Sequence, residues 1–158
     1  HYLKKRGGGN KVANAVSLAS PFKGVFDRVW PVLLGDLGMW ALSAVLPSYT
    51  TFFQQVTGSK FLKKLNKNGI PVKGPNYLNI VTKYDEIAFP HEIGIMPTKK
   101  GTKVRNLQIQ TVCANDYADH LAISADPNVF QVMDHTFSGI PDAPVQCREV
   151  RFITGVVD

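Results

Sequence analysis

Apolar and polar positions change rhythm several times along the chain, and each rhythm predicts an element. Val12 to Ser20 (Val-Ala-Asn-Ala-Val-Ser-Leu-Ala-Ser) is apolar, small and uncharged, as in a central strand covered on both faces. Pro21 and Gly24 close it. Val25 to Phe53 is the most apolar stretch, and Val29 to Pro47 holds a single charge, Asp36. Those nineteen residues nearly match a bilayer, yet Pro31, Gly35, Asp36 and Gly38 fall within the first ten, which argues against a spanning helix. Two readings of this insert, residues 25–56, stand side by side. It is a buried helix pair, or a mobile lid-like cover that turns Trp30, Trp40, Phe52 and Phe53 toward an apolar ligand.

Around the insert the pattern is more regular. Tyr2 to Arg6 followed by Gly7, Gly8 and Gly9 reads as a helix end: cations oppose the negative end of the dipole and glycine supplies a left-handed stop. A helix end without its beginning leads us to expect further chain upstream. Ser59 offers an N-cap for a helix over Lys60 to Asn66, ended by Asn68-Gly69. A strand is expected over Tyr77 to Thr82, and another over Asn106 to Val112, where Leu107, Ile109 and Thr111 alternate with Gln108, Gln110 and Val112. Between them runs a loop with Asp85-Glu86, ending at Pro90; after them comes a loop from Cys113 to His120. Asp126-Pro127 starts a helix through about His135, and Val150 to Val157 suits a last short strand. Strands alternating with helices imply an α/β fold with a mostly parallel sheet.

Composition narrows the class. A length of 158 residues suits one domain, and 44% apolar with 19% charged residues excludes a disordered tail, a collagen-like repeat or a disulfide-packed miniprotein. A net charge of +6 permits an anionic partner without naming one. The lysines at 60, 63, 64 and 67 read as a solvated face, and the cations at the start of the chain as a helix end or a phosphate site. A nucleic-acid-binding module needs aromatics interleaved with Lys and Arg, whereas the densest group of aromatics here, six of sixteen, lies in the insert, where Arg28 is the one cation. Cys113, His120, His135 and Cys147 are metal-ligand types, but their Cys-x6-His spacing is not that of a common zinc site. Neither metal nor cofactor is expected.

In parallel α/β sheets, functional groups sit on loops at the strands' C-terminal ends. Asp85 and His120 leave two successive strand ends, as partners in a triad would. A carboxylate fixes the imidazole tautomer so that the other ring nitrogen takes a proton from a nucleophile. The order acid then histidine matches the hydrolase fold built this way. Read from the residues alone, Asp85 is equally a turn acid and His120 a capping or core histidine.

Phe61-Leu62 through Leu65-Asn66, Val81-Thr82-Lys83-Tyr84-Asp85-Glu86-Ile87, and His120-Leu121-Ala122-Ile123 with Asp126-Pro127 resemble the secreted class 2 triacylglycerol lipases of bacteria, and more faintly the yeast lipase B type. The likeness runs from Gln54-Gln55 to Cys147, and Tyr2-Leu3 to Gly24 resembles the stretch behind the family's nucleophile. It implies an α/β-hydrolase fold, hydrolysis of lipid carboxylic esters at a lipid–water interface, and export from the cell. By position, Asp85 becomes the triad acid and His120 the base. The insert, with Trp40, Leu42, Phe52 and Phe53, becomes the acyl-chain site.

The chain departs from the family in one respect that matters most: it contains no G-x-S-x-G elbow. Ser17, Ser20, Ser48, Ser59 and Ser138 all lack that context, and the oxyanion hole built at the elbow is missing with it. Residues 1–158 are therefore expected to be the C-terminal portion of a single hydrolase domain, inactive without the remainder. A non-catalytic lipase-like domain is the alternative. Ser17 to Gly24 follows the family pattern only in part, and the extra cysteine pair near the insert is absent. In an exported protein, the two cysteines flanking the His120 loop are expected to pair as Cys113–Cys147. Glu86, Asp119, His91 and His135 are expected to play no direct part.

Overall fold

The computed structural model describes residues 1–25, 51 and 54–156. Trp30, Trp40, Leu42, Phe52 and Phe53, with most of the 25–56 insert, lie outside the described residues. The described chain is mixed α/β, built on one parallel three-stranded sheet. Its strands are β1 (Asn14–Leu18), β2 (Asn76–Val81) and β3 (Lys103–Gln108), in that spatial order, with Asn14 opposite Asn76 and Asn76 opposite Lys103. Helix α1 (Tyr2–Lys5) precedes β1 and ends where Gly7 takes a φ of 74°, the left-handed stop expected of glycine. Helix α2 (Lys60–Asn66) starts where the Ser59 hydroxyl accepts from the Leu62 amide at 3.1 Å. Helix α3 (Pro127–Phe137) starts where Asp126 accepts from the Asn128 amide at 2.8 Å. Both caps satisfy amides that the helix itself leaves free.

The two sheet faces differ in chemistry. One carries Val16, Leu18, Leu78, Ile80 and Leu107 against Val129 and Val132 of α3, with Ile109, Ile123 and Val150 completing the core. The other carries a polar row. The Ser17 hydroxyl donates to Asn79 at 2.7 Å, and the Asn79 amide donates to Asn106 at 2.8 Å and to the Gly94 carbonyl at 2.9 Å. Asn106 in turn exchanges two 3.0 Å bonds with the backbone of Met96. Asn79 is fully buried and its bonds tie all three strands to the 94–96 segment.

Three expectations need correction. Among the described residues β1 lies at one end of the sheet and is only half-buried, rather than central and covered on both faces. β3 begins at Lys103 and stops at Gln108, after which Ile109–Thr111 wind into a 3-10 turn. The alternation persists through the turn because Ile109 stays buried, so periodicity placed the strand too far along. The segment expected as one strand over 150–157 holds two short antiparallel strands, β4 (Val150–Arg151) and β5 (Gly155–Val156). Positive φ at Ile153 (65°) and Gly155 (78°) folds the chain back.

The insert leaves and returns at one place. The Val25 amide donates to the Gln55 carbonyl at 2.9 Å and Thr57 donates back to Val25 at 3.1 Å. Gly24 has a φ of 103°, and a Cβ there would stand 2.5 Å from the Thr57 backbone, so the junction closes only around glycine.

Candidate active site

Asp85 and His120 come together beyond the C-terminal ends of β2 and β3. His120 Nδ1 lies 2.9 Å from Asp85 Oδ1 and 3.0 Å from Oδ2. Asp85 is buried, and its Oδ1 also accepts from the amides of Ile87 (3.0 Å) and Ala88 (2.6 Å). The loop thus turns around the carboxylate, which is held before the imidazole meets it. With the carboxylate accepting at this contact Nδ1 is the donor, and in the neutral imidazole the lone pair then lies on Nε2. The His120 side chain is 22% exposed against 2% for Asp85: the pair is anchored at the acid end and open at the imidazole end.

The acid loop and the histidine loop are stitched by side chains that sequence reasoning passed over. The Thr82 hydroxyl donates to the Ala118 carbonyl at 2.6 Å. Gln110 donates to Thr82 Oγ1 at 2.9 Å and to the Asp116 carbonyl at 3.0 Å, and accepts from the Lys83 amide at 3.1 Å. The rings of Tyr84 and Tyr117 meet across the same seam at 5.3 Å. Thr82 was legible as a polar residue closing an apolar strand; Gln110 was hidden inside a stretch read as strand.

The other acids and histidines take different positions. Glu86 does not point away from the pair as a neighbour in an extended run would: its carboxylate accepts from the His120 backbone amide at 3.1 Å. Asp119 caps the turn that follows, accepting from Leu121 (2.9 Å) and Ala122 (2.8 Å), while its second oxygen takes the Ile153 amide. Burial pushes the Asp119 carboxyl up, but those three amides outweigh it and hold it below the ordinary carboxylate value. His91 sits 3.6 Å from Glu92, and His135 is packed into α3. Cys113 and Cys147 form a disulfide, so neither offers a thiolate to a metal. The disulfide tethers the base of the histidine loop to the segment after α3.

Beneath this loop lies a second carboxyl pair. Asp116 and Asp126 are both buried; Asp116 accepts from the Ala118 amide at 3.0 Å and from Asn128 Nδ2 at 2.9 Å. Burial, with the hydrogen bond and charge of Asp116, pushes Asp126 up to about 7. Asp126 therefore holds its proton more tightly than an exposed aspartate does.

Serine hydroxyls are committed elsewhere: Ser17 to Asn79, Ser59 to the α2 cap and Ser124 to the Leu121 carbonyl. Among the described residues none bonds to the His120 ring. Leu121, which follows His120, is 74% exposed, and Ile153, whose amide donates to Asp119, is 77% exposed. The chain matches no protein-family model and no curated protein.

Proposed function

We propose that this chain is the C-terminal part of an α/β-hydrolase domain that hydrolyses lipid carboxylic esters, with Asp85 and His120 as two members of a Ser-His-Asp triad. The observation that carries this reading is the bidentate contact of His120 Nδ1 on a buried, amide-anchored Asp85 at the C-terminal ends of parallel strands. The exposed Leu121 and Ile153, on the histidine loop and on the turn bonded to Asp119, suit an apolar ester. In this reading a serine upstream attacks the ester carbonyl while His120 Nε2 takes its proton. His120 then returns that proton to the leaving alcohol, and water repeats the sequence on the acyl-enzyme. Asp85 keeps the tautomer and balances the imidazolium that forms in each step. The insert supplies the acyl-chain site through Trp40, Leu42, Phe52 and Phe53. The protein works outside the cell, where the Cys113–Cys147 bond persists.

The test compares the full-length protein with residues 1–158 alone on a short p-nitrophenyl ester and on an emulsified triacylglycerol. The full-length protein should turn over both and be labelled by a serine-directed phosphonate upstream of His1, whereas 1–158 should do neither. Phosphonate-sensitive turnover by 1–158 alone would falsify the division of the triad, and a full-length protein inert on every ester would mark a non-catalytic lipase-like domain.

A further inference from the structure

The charge of this protein is concentrated at one end. Thirteen of its eighteen Lys and Arg fall in residues 1–11, 60–75 and 97–105, which contain no Asp or Glu. The fold brings these segments together. Lys4 Nζ reaches the carbonyls of Leu65, Lys67 and Gly69 at the end of α2. Lys99 Nζ donates to the Asn68 carbonyl at 2.7 Å, and the Lys73 side chain lies against Gly101. Lys11, Lys73 and Lys103 stand at or just before the starts of β1, β2 and β3. Because the sheet is parallel, this end lies opposite Asp85 and His120, roughly 20 Å away along a six-residue strand.

Among the described residues the lysines there have no carboxylate partner. Burial lowers the Lys4 ammonium from its ordinary value, and the charges of Lys5 and Lys99 lower it further. Lys5, Lys67, Lys73, Lys99 and Lys100 are exposed, and among the described residues the ion pairs involve Arg105, Arg151 and histidines but no lysine. A one-signed field of this kind opposes the compact state and favours a polyanion.

We propose that this lysine face binds a linear acidic polysaccharide, holding the protein by the end opposite the His120 pair. Eleven of the thirteen cations are lysines, compact charges that suit diffuse attraction to spaced carboxylates or sulfates rather than the bidentate recognition arginine gives. A membrane is the poorer partner, because the most exposed apolar side chains, Leu121 and Ile153, sit at the other end. The disulfide assigns the protein to an oxidising compartment, where acidic polysaccharides are the standing polyanions. None of this depends on ester hydrolysis.

The experiment titrates the full-length protein with heparin and with polygalacturonate across a range of NaCl, and with duplex DNA and phosphatidylglycerol vesicles in parallel. Either polysaccharide should bind most tightly, weaken linearly in log–log form with salt, and raise Tm. The variant K64E/K67E/K73E/K100E should weaken binding at least about tenfold and flatten the slope by roughly 3, as counterion release at four sites requires. K67Q/K100Q, which spares the fold if the reversals do not, should flatten it by about half as much. Arg148→Glu with Arg151→Glu, flanking the Val150 that pairs with Asp116 in the histidine loop, should leave binding intact. The proposal is overturned if neither polysaccharide binds at low salt, if DNA or vesicles bind more tightly, or if the distant pair of reversals costs as much as the four.

Discussion

Asp126 carries the sharpest pH dependence among the described residues. Its carboxyl is raised to about 7 in the folded chain by burial and by Asp116, whereas an unfolded aspartate titrates near 3.9. The folded state therefore holds a proton that the unfolded state has released. The stability this gives is complete below about pH 4, declines as pH rises toward about 7, and is gone above. Asn can serve as the N-cap in place of Asp and carries no charge, so Asp126→Asn should raise Tm near pH 8 and flatten its fall from near pH 5. Thermal unfolding at the two pH values checks this; an equal loss at both would mean that only the cap was damaged. At this scale the sequence was informative where a side chain has one dominant option. Asp85 and His120 stood out by residue type and by position after strands, with turn and core roles left open until the family resemblance paired them. The roles of Glu86, Thr82 and Gln110 depend on which loops meet.

Elements were most legible where a cap announces them. Ser59 and Asp126-Pro127 placed the starts of α2 and α3 correctly, because an unsatisfied first turn selects those residues. β2 was legible from its apolar run, while β3 was displaced because a buried Ile109 continues the alternation into a 3-10 turn. The Ser17–Asn79–Asn106 row was not foreseen, since polar residues inside a strand look like interruptions until the strands are paired. Asn79→Ala should cost about 2–4 kcal/mol, since it strands partners on both neighbouring strands and on Gly94; a loss below 1 kcal/mol in urea unfolding would show the row to be incidental. Joining Cys113 to Cys147, 34 residues apart, should contribute roughly 3–4 kcal/mol in the chain-entropy model. Reduction and alkylation should lower the urea midpoint accordingly, and two thiols alkylated on the folded protein without reductant would contradict the bond.

Across the whole molecule, a parallel sheet separates two chemistries. Its C-terminal edge gathers Asp85, Glu86, Asp116, Asp119 and His120, and its N-terminal edge gathers lysines. That polarity was invisible in a net charge of +6, which sums over both ends. The α/β class was legible from the alternation of elements. In the proposed function, His120, oriented by Asp85, is the proton carrier of an ester hydrolase. The most direct test of that role is kcat of the full-length protein on a short ester with single changes at the pair and beside it. His120→Ala should remove most of the rate, and Asp85→Asn should cost on the order of 10⁴. Glu86→Gln, which disturbs only a backbone contact of His120, should cost about tenfold or less, well short of loss of the tautomer. Near-normal turnover by His120→Ala, or a greater loss from Glu86→Gln than from Asp85→Asn, would rule out His120 and Asp85 as base and acid.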